Sequence, residues 1–273
     1  MTARLRMRPF AVVAVVLAAA FVATYLFFVR TYVGQIVDER AFNGAADQHA
    51  LIQRLSAVVL RNVAWIAIGG GVILTLLIGG LNRRPKHIVA ALVAGAAALG
   101  MAELSKYVFL SRAQTGATDV FNNSFPSGHA TVAAAAAFAV FLVSTPRWRP
   151  LAAVLGGGFA MLTGVLAVIS QWHRPSDVVA AFMLVGVCGS LAGVALIAWR
   201  VPTAPEQAGP LRAMWWIAGV SALVSLAAFI LIYVSVQDHG SHLQVAYAGG
   251  STAIVAVGSG FAAAGNRLFR RLA

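Results

Sequence analysis

Two short polar clusters interrupt an otherwise apolar chain: Asn123-Ser124-Phe125-Pro126-Ser127-Gly128-His129 and Trp172-His173-Arg174-Pro175-Ser176-Asp177. Burying an ionisable group in hydrocarbon is costly, so charges set among apolar runs ask for a chemical reason. In the first cluster Ser127 is a good N-cap for the apolar helix that follows it. The first turn of such a helix offers unpaired N–H groups and a positive dipole end, a ready anion site. Gly128 removes the side chain that would block close approach. His129, in the same turn, is placed to donate a proton to a leaving oxygen. In the second cluster Pro175 favours a helix start, with His173 just before it and Asp177 in its first turn. A carboxylate there can accept an imidazole N–H and leave the other nitrogen free to attack.

Each piece alone has a plainer explanation: a capped helix end, an interfacial tryptophan or a snorkelling cation. Two histidines and an aspartate also suit zinc. Lys106 and Arg112 argue against it, because they repel a cation and suit an anion, the arginine as a two-pronged donor. Together the residues supply cations, backbone N–H groups, a nucleophile with its orienting acid, and a proton donor. Those are the parts needed for covalent phosphoryl transfer.

The elements that must position these parts are membrane helices. Of 273 residues, 60% are hydrophobic and 10% charged, where a soluble domain carries about 25% charged residues. The apolar runs are roughly 20 residues long, the length of a bilayer-spanning helix. The expectation is an all-α, polytopic membrane bundle of about eight transmembrane helices. The runs cover about 9–29, 57–81, 88–108, 127–143, 151–169, 177–199, 214–236 and 243–264. Residues 30–55 read as an aqueous loop with room for a short surface helix. The net charge of +12 is split among the ends of apolar runs, which speaks for topology signals and against nucleic acid. Counting arginines and lysines in the short loops puts both termini in the cytoplasm and both polar clusters on the outer face. The lone Cys188 reads as packing, and Gly189 with Gly193 as sites of close helix approach.

On these residues the chain resembles the type 2 phosphatidic acid phosphatase superfamily of membrane lipid phosphatases, whose core is related to the vanadium haloperoxidases. That family has three motifs: Lys-x6-Arg-Pro, Pro-Ser-Gly-His and Ser-Arg-x5-His-x3-Asp. The middle motif stands intact at Pro126 to His129, and the second half of the third at His173 and Asp177. The similarity covers about Glu103 to Ala181. It implies a six-helix phosphatase core within residues 1–199, followed by two additional helices and a basic tail in 200–273. It also implies that His173 is the nucleophile that becomes a phosphohistidine, that Asp177 orients it, and that His129 protonates the leaving group. Lys106, Arg112, Ser127 and the Gly128 amide would hold the phosphoryl oxygens, with no metal and no cofactor. The implied substrate is a lipid phosphate or diphosphate of the prenyl or phosphatidate type, met at the extracytoplasmic face of the cell membrane.

Two departures stand out. Only five residues separate Lys106 from Arg112, and Ala113 replaces the proline. Leu166 and Ala167 occupy the Ser-Arg positions of the third motif. Losing a phosphate-binding group typically costs about 10²–10³-fold in rate. Arg174, which adjoins His173, is the expected substitute, ahead of Arg61 and Gln171. The alternative function is a catalytically impaired lipid-phosphate binding or transport protein with the same fold.

Overall fold

A computed structural model of the chain describes residues 3–46, 48, 50–118, 122–202, 209–237, 242–270 and 272. Asp47, the centre of the proline-rich linker, Asp238 and Arg271 lie outside the described residues. Within them the structure is all-α, without strands. Helix α1 (Ala3–Thr24) runs into a π-helical turn (Tyr25–Val29). Helix α2 (Tyr32–Gly44) is short, and α3 (Ala50–Leu81) is the longest. Helix α4 (Pro85–Leu104) also ends in a π-helical turn (Ser105–Phe109). Then come α5 (Gly128–Val143), α6 (Arg149–Ile169), α7 (Pro175–Ala198), α8 (Arg212–Val234) and α9 (Leu243–Leu268).

Among the described residues, seven helices are long and apolar enough to cross a membrane, the pattern of a multi-pass membrane protein. The eighth expected span is α5, with 16 residues. At 1.5 Å per residue it reaches about 24 Å, short of the roughly 30 Å hydrocarbon thickness. It is also the centre of the bundle, packed against α3, α4, α6 and α7. Its alanines make that possible. A Cβ added to Gly71 of α3 would lie 2.7 Å from the Ala136 Cβ, and one added to Gly156 of α6 would lie 2.9 Å from the Ala137 Cβ. Gly189 of α7 likewise admits the Phe138 ring, and Gly193 admits Phe10 of α1. The small residues thus draw α3, α6 and α7 onto the one short helix, and α1 onto α7.

The first loop is more ordered than its polarity implies. Thr31 caps α2 by accepting the Gly34 N–H at 3.0 Å, and α3 begins at Ala50, seven residues before the apolar run. Helix α2 packs against α7, α8 and α9, and α9 in turn packs against α6 and α7. At the other end of the bundle Arg149 is fully buried, and its guanidinium donates to the carbonyls of Ser144, Phe269 and Leu272. Arg84 donates to the same Ser144 carbonyl at 2.8 Å.

Candidate active site

The two polar clusters meet at one end of the bundle. Pro175 opens α7, and Asp177 follows at the third helical position. There its Oδ2 accepts the Arg174 backbone N–H at 3.1 Å, a charge-assisted cap. The same oxygen lies 3.2 Å from His173 Nδ1 and accepts the Ser124 hydroxyl at 2.8 Å. Asp177 is an acceptor only, so this contact fixes the imidazole proton on Nδ1 and leaves Nε2 with its lone pair. The backbone joins the clusters as well: the Ser127 N–H donates to the Asp177 carbonyl at 2.9 Å.

His173 is held from behind by the end of α6. The Ala167 carbonyl accepts the amides of Trp172, at 3.0 Å, and His173, at 3.2 Å. Gln171 makes the tight reversal possible with a positive φ of 55°, a conformation uncommon for a residue other than glycine. The His129 ring faces the His173 ring with centroids 6.5 Å apart and touches Trp172 at 5.2 Å. Both imidazoles therefore border one cleft.

Ser127 caps α5 by accepting the Ala130 N–H, so the N–H groups of Gly128 and His129 remain the open donors of the first turn. A Cβ on Gly128 would lie 3.6 Å from Lys106 Nζ, which places the ammonium over that turn. Lys106 itself is largely buried, with Glu103 Oε1 at 3.9 Å. Arg112 is 5% exposed, yet among the described residues none of its three guanidinium nitrogens has a hydrogen-bond partner. Burial first, and then the nearby Arg174 charge, pulls its pKa below the ordinary arginine value, while Asp177, Asp38 and Glu39 pull the other way. An unpartnered buried guanidinium is expensive. Here it lies within reach of the charges of Arg174, Asp177, Asp38 and Glu39, at the same end of the bundle as His173.

Arg174 is placed differently from its expected role as a substitute phosphate ligand. Its Nε and Nη2 both donate to Glu39 Oε2, and its guanidinium lies over the Phe42 ring at 5.1 Å. Burial lowers its pKa, but Glu39, Asp177 and Asp38 outweigh that and the net shift is upward. The fork is engaged by Glu39 and Phe42 of α2. Gln171 is engaged too, donating to the Phe42 carbonyl at 3.3 Å, and Arg61 is exposed on α3. Ala167, fully buried at the position of the third-motif arginine, serves through its carbonyl alone.

Sequence reasoning passed over Ser124, Gln35, Asp38 and Glu39. Asp38 is buried and accepts both the Ser176 N–H, at 3.1 Å, and the Ser176 hydroxyl. Burial first, and then the Asp177 charge, pushes its carboxyl up to about 7. The available signal was scarcity: the whole chain has eight acidic residues, and two of them stand side by side at 38 and 39. Among the described residues no group of three or more His, Cys, Asp or Glu side chains is arranged to hold a metal ion.

Fold and site together define a class: a multi-helix membrane bundle with paired histidines, a buried carboxylate and an open arginine at one end. Residues 101–202 match the family model described as the PAP2 superfamily, the family that the motifs resemble. The matched stretch contains all the candidate residues read from the sequence except Arg61, and the family in general comprises phosphatases. Neither a curated protein nor a solved structure matches the chain significantly.

Proposed function

We propose that the protein is an integral membrane phosphatase that hydrolyses a lipid phosphate or diphosphate through a phosphohistidine. The observation that carries this reading is the His173–Asp177 contact opposite His129, beside the unpartnered guanidinium of Arg112. A tetrahedral anion in the cleft would satisfy Arg112, Lys106, the Ser127 hydroxyl and the Gly128 N–H. His173 Nε2 attacks the terminal phosphorus, and its bond to the leaving oxygen, of the lipid alcohol in a monophosphate or of the lipid phosphate in a diphosphate, breaks as His129 gives that oxygen a proton. Water then attacks the phosphohistidine, His129 takes its proton, and inorganic phosphate leaves. Asp177 holds the tautomer and balances the imidazolium charge. The loop cations gather at the end opposite the cleft, at Arg83, Arg84, Lys86, Arg147 and Arg200. By the positive-inside rule this favours an extracytoplasmic site with cytoplasmic termini.

The test is phosphate release from a panel of prenyl and phosphatidate phosphates by the purified protein. Release is expected from at least one of them and is expected to vanish in His173→Ala with the helical content intact. Retained release in that variant removes the nucleophile assignment. One observation favours a second reading, a lipid-phosphate binder or transporter: Ala167 supplies no cation and Arg174 is committed to Glu39. Tight binding of a lipid phosphate without release supports that reading instead.

A further inference from the structure

We propose that α2 is a positioning element for the site, with one face of it setting both loops that carry the chemistry. The inference rests on the phosphatase reading and adds residues from outside the matched segment 101–202. Gln35, Asp38, Glu39 and Phe42 stand at the i, i+3, i+4, i+7 spacing that lines one side of a helix.

The upper part of that face holds the loop of Arg112. Gln35 Nε2 donates to the carbonyls of Val29 and Ala113, both at 2.8 Å, and Gln35 Oε1 accepts the Thr115 hydroxyl at 2.6 Å. The turn leading into α2 grips the same loop from the other side. Arg30 donates to the Ser111 hydroxyl at 2.9 Å, Tyr25 donates to the Ser111 carbonyl at 2.8 Å, and the Ala113 N–H reaches the Val29 carbonyl at 3.3 Å. Both neighbours of Arg112 are therefore pinned, while its own side chain has no hydrogen-bond partner among the described residues. That arrangement aims a fork without occupying it.

The lower part of the face holds the loop of His173. Glu39 takes the Arg174 guanidinium, Phe42 lies beneath it, and Asp38 takes the N–H and hydroxyl of Ser176. Arg174 is the residue next to His173, and its own N–H ends on the Asp177 oxygen that also holds the His173 ring. Turning Arg174 therefore moves the cap, and with it the angle of the imidazole. Glu39 also keeps a second guanidinium turned toward α2, so the anion meets Arg112 without competition from Arg174. Misplacing a reacting group by about 1 Å costs on the order of 10²-fold in rate, so α2 acts through the residues it holds.

The experiment uses full-length protein in detergent carrying Glu39→Gln, Glu39→Asp or Gln35→Ala. Glu39→Gln is expected to lower kcat for phosphate release by about 10²-fold with little change in KM. Glu39→Asp, which keeps the charge, is expected to recover part of that loss. The downfield Nδ1–H proton resonance of His173, identified by its absence from His173→Ala, is expected to shift or broaden in Glu39→Gln. Gln35→Ala is expected to weaken inorganic phosphate binding by about tenfold. Wild-type kcat with an unmoved His173 resonance in Glu39→Gln overturns the proposal. If Glu39→Gln does not fold, unchanged phosphate affinity in Gln35→Ala overturns it. If the wild type releases no phosphate, the phosphatase reading fails, and the His173 resonance and phosphate affinity still decide the role of α2.

Discussion

Two buried arginines at opposite ends of the bundle, Arg112 and Arg149, differ in what the chain gives them to bind. Arg149 is 0% exposed and donates to three backbone carbonyls, tying the α5–α6 loop to the residues that follow α9. Arg112 is nearly as buried, but its fork has no hydrogen-bond partner among the described residues. Residue type and depth are almost the same. What differs is the acceptors: the chain supplies them for Arg149, and no described residue supplies them for Arg112, which the proposed function leaves to an incoming anion. Their neighbours continue the contrast, since Arg84 and Lys86 also donate to backbone carbonyls, of Ser144 and Trp199, while the charges that act on Arg112 are those of Arg174, Asp177, Asp38 and Glu39.

The sharpest way to break this comparison is to delete both side chains and look for a crossover. Arg112→Ala should lose about 10²–10³-fold in turnover while its thermal midpoint stays level or rises, because an unpaired buried charge has been removed. Arg149→Ala should do the reverse. Stranding its carbonyl acceptors should cost about 2–4 kcal/mol of stability, with turnover per folded molecule unchanged. Calorimetry and phosphate release on the same samples would show whether the two effects exchange places.

A gentler test concerns Asp38. Its carboxyl is pushed up to about 7 by burial and by Asp177, well above its unfolded value of about 4. Between those two pH values the folded state holds the extra proton, so stability falls as pH rises from about 4 to about 7. Asp38→Asn should remove this part of the slope, which thermal midpoints measured across that range would reveal. The smallest effect belongs to Arg147, exposed two residues before Arg149. Arg147→Ala should change stability by less than about 0.5 kcal/mol and leave turnover alone. A larger change would mean that the opposite end of the bundle is not the passive lock its hydrogen bonds describe.

Much of the bundle was legible because bilayer spans announce themselves by length and hydropathy. Helix α5 was legible as an apolar run, but its shortfall in length becomes meaningful only beside the longer helices around it. The first loop was legible as polar with room for a short helix, but the packing of α2 into the bundle was not, because its partners lie far along the chain. The motif residues could be read from local spacing, since Ser127, Pro175 and Asp177 announce helix starts. Arg174 could not. Proximity to His173 made it the natural replacement for the arginine missing at Ala167, yet its partner Glu39 lies 135 positions away. Nothing in linear order foretells which of two adjacent groups a distant carboxylate will claim.

The brevity of α5 decides what sits at its far end. The Ser127 N–H bonds the Asp177 carbonyl, so α5 and α7 begin within about a turn of one another. Helix α5 then stops after 16 residues where α7 continues to 24. A helix that stops early leaves its last carbonyls to other donors, and at Ser144, the residue that ends α5, those donors are Arg84 and Arg149. One extra helical turn in the alanine stretch would carry Ser144 about 5 Å along the axis and take its carbonyl away from both guanidiniums.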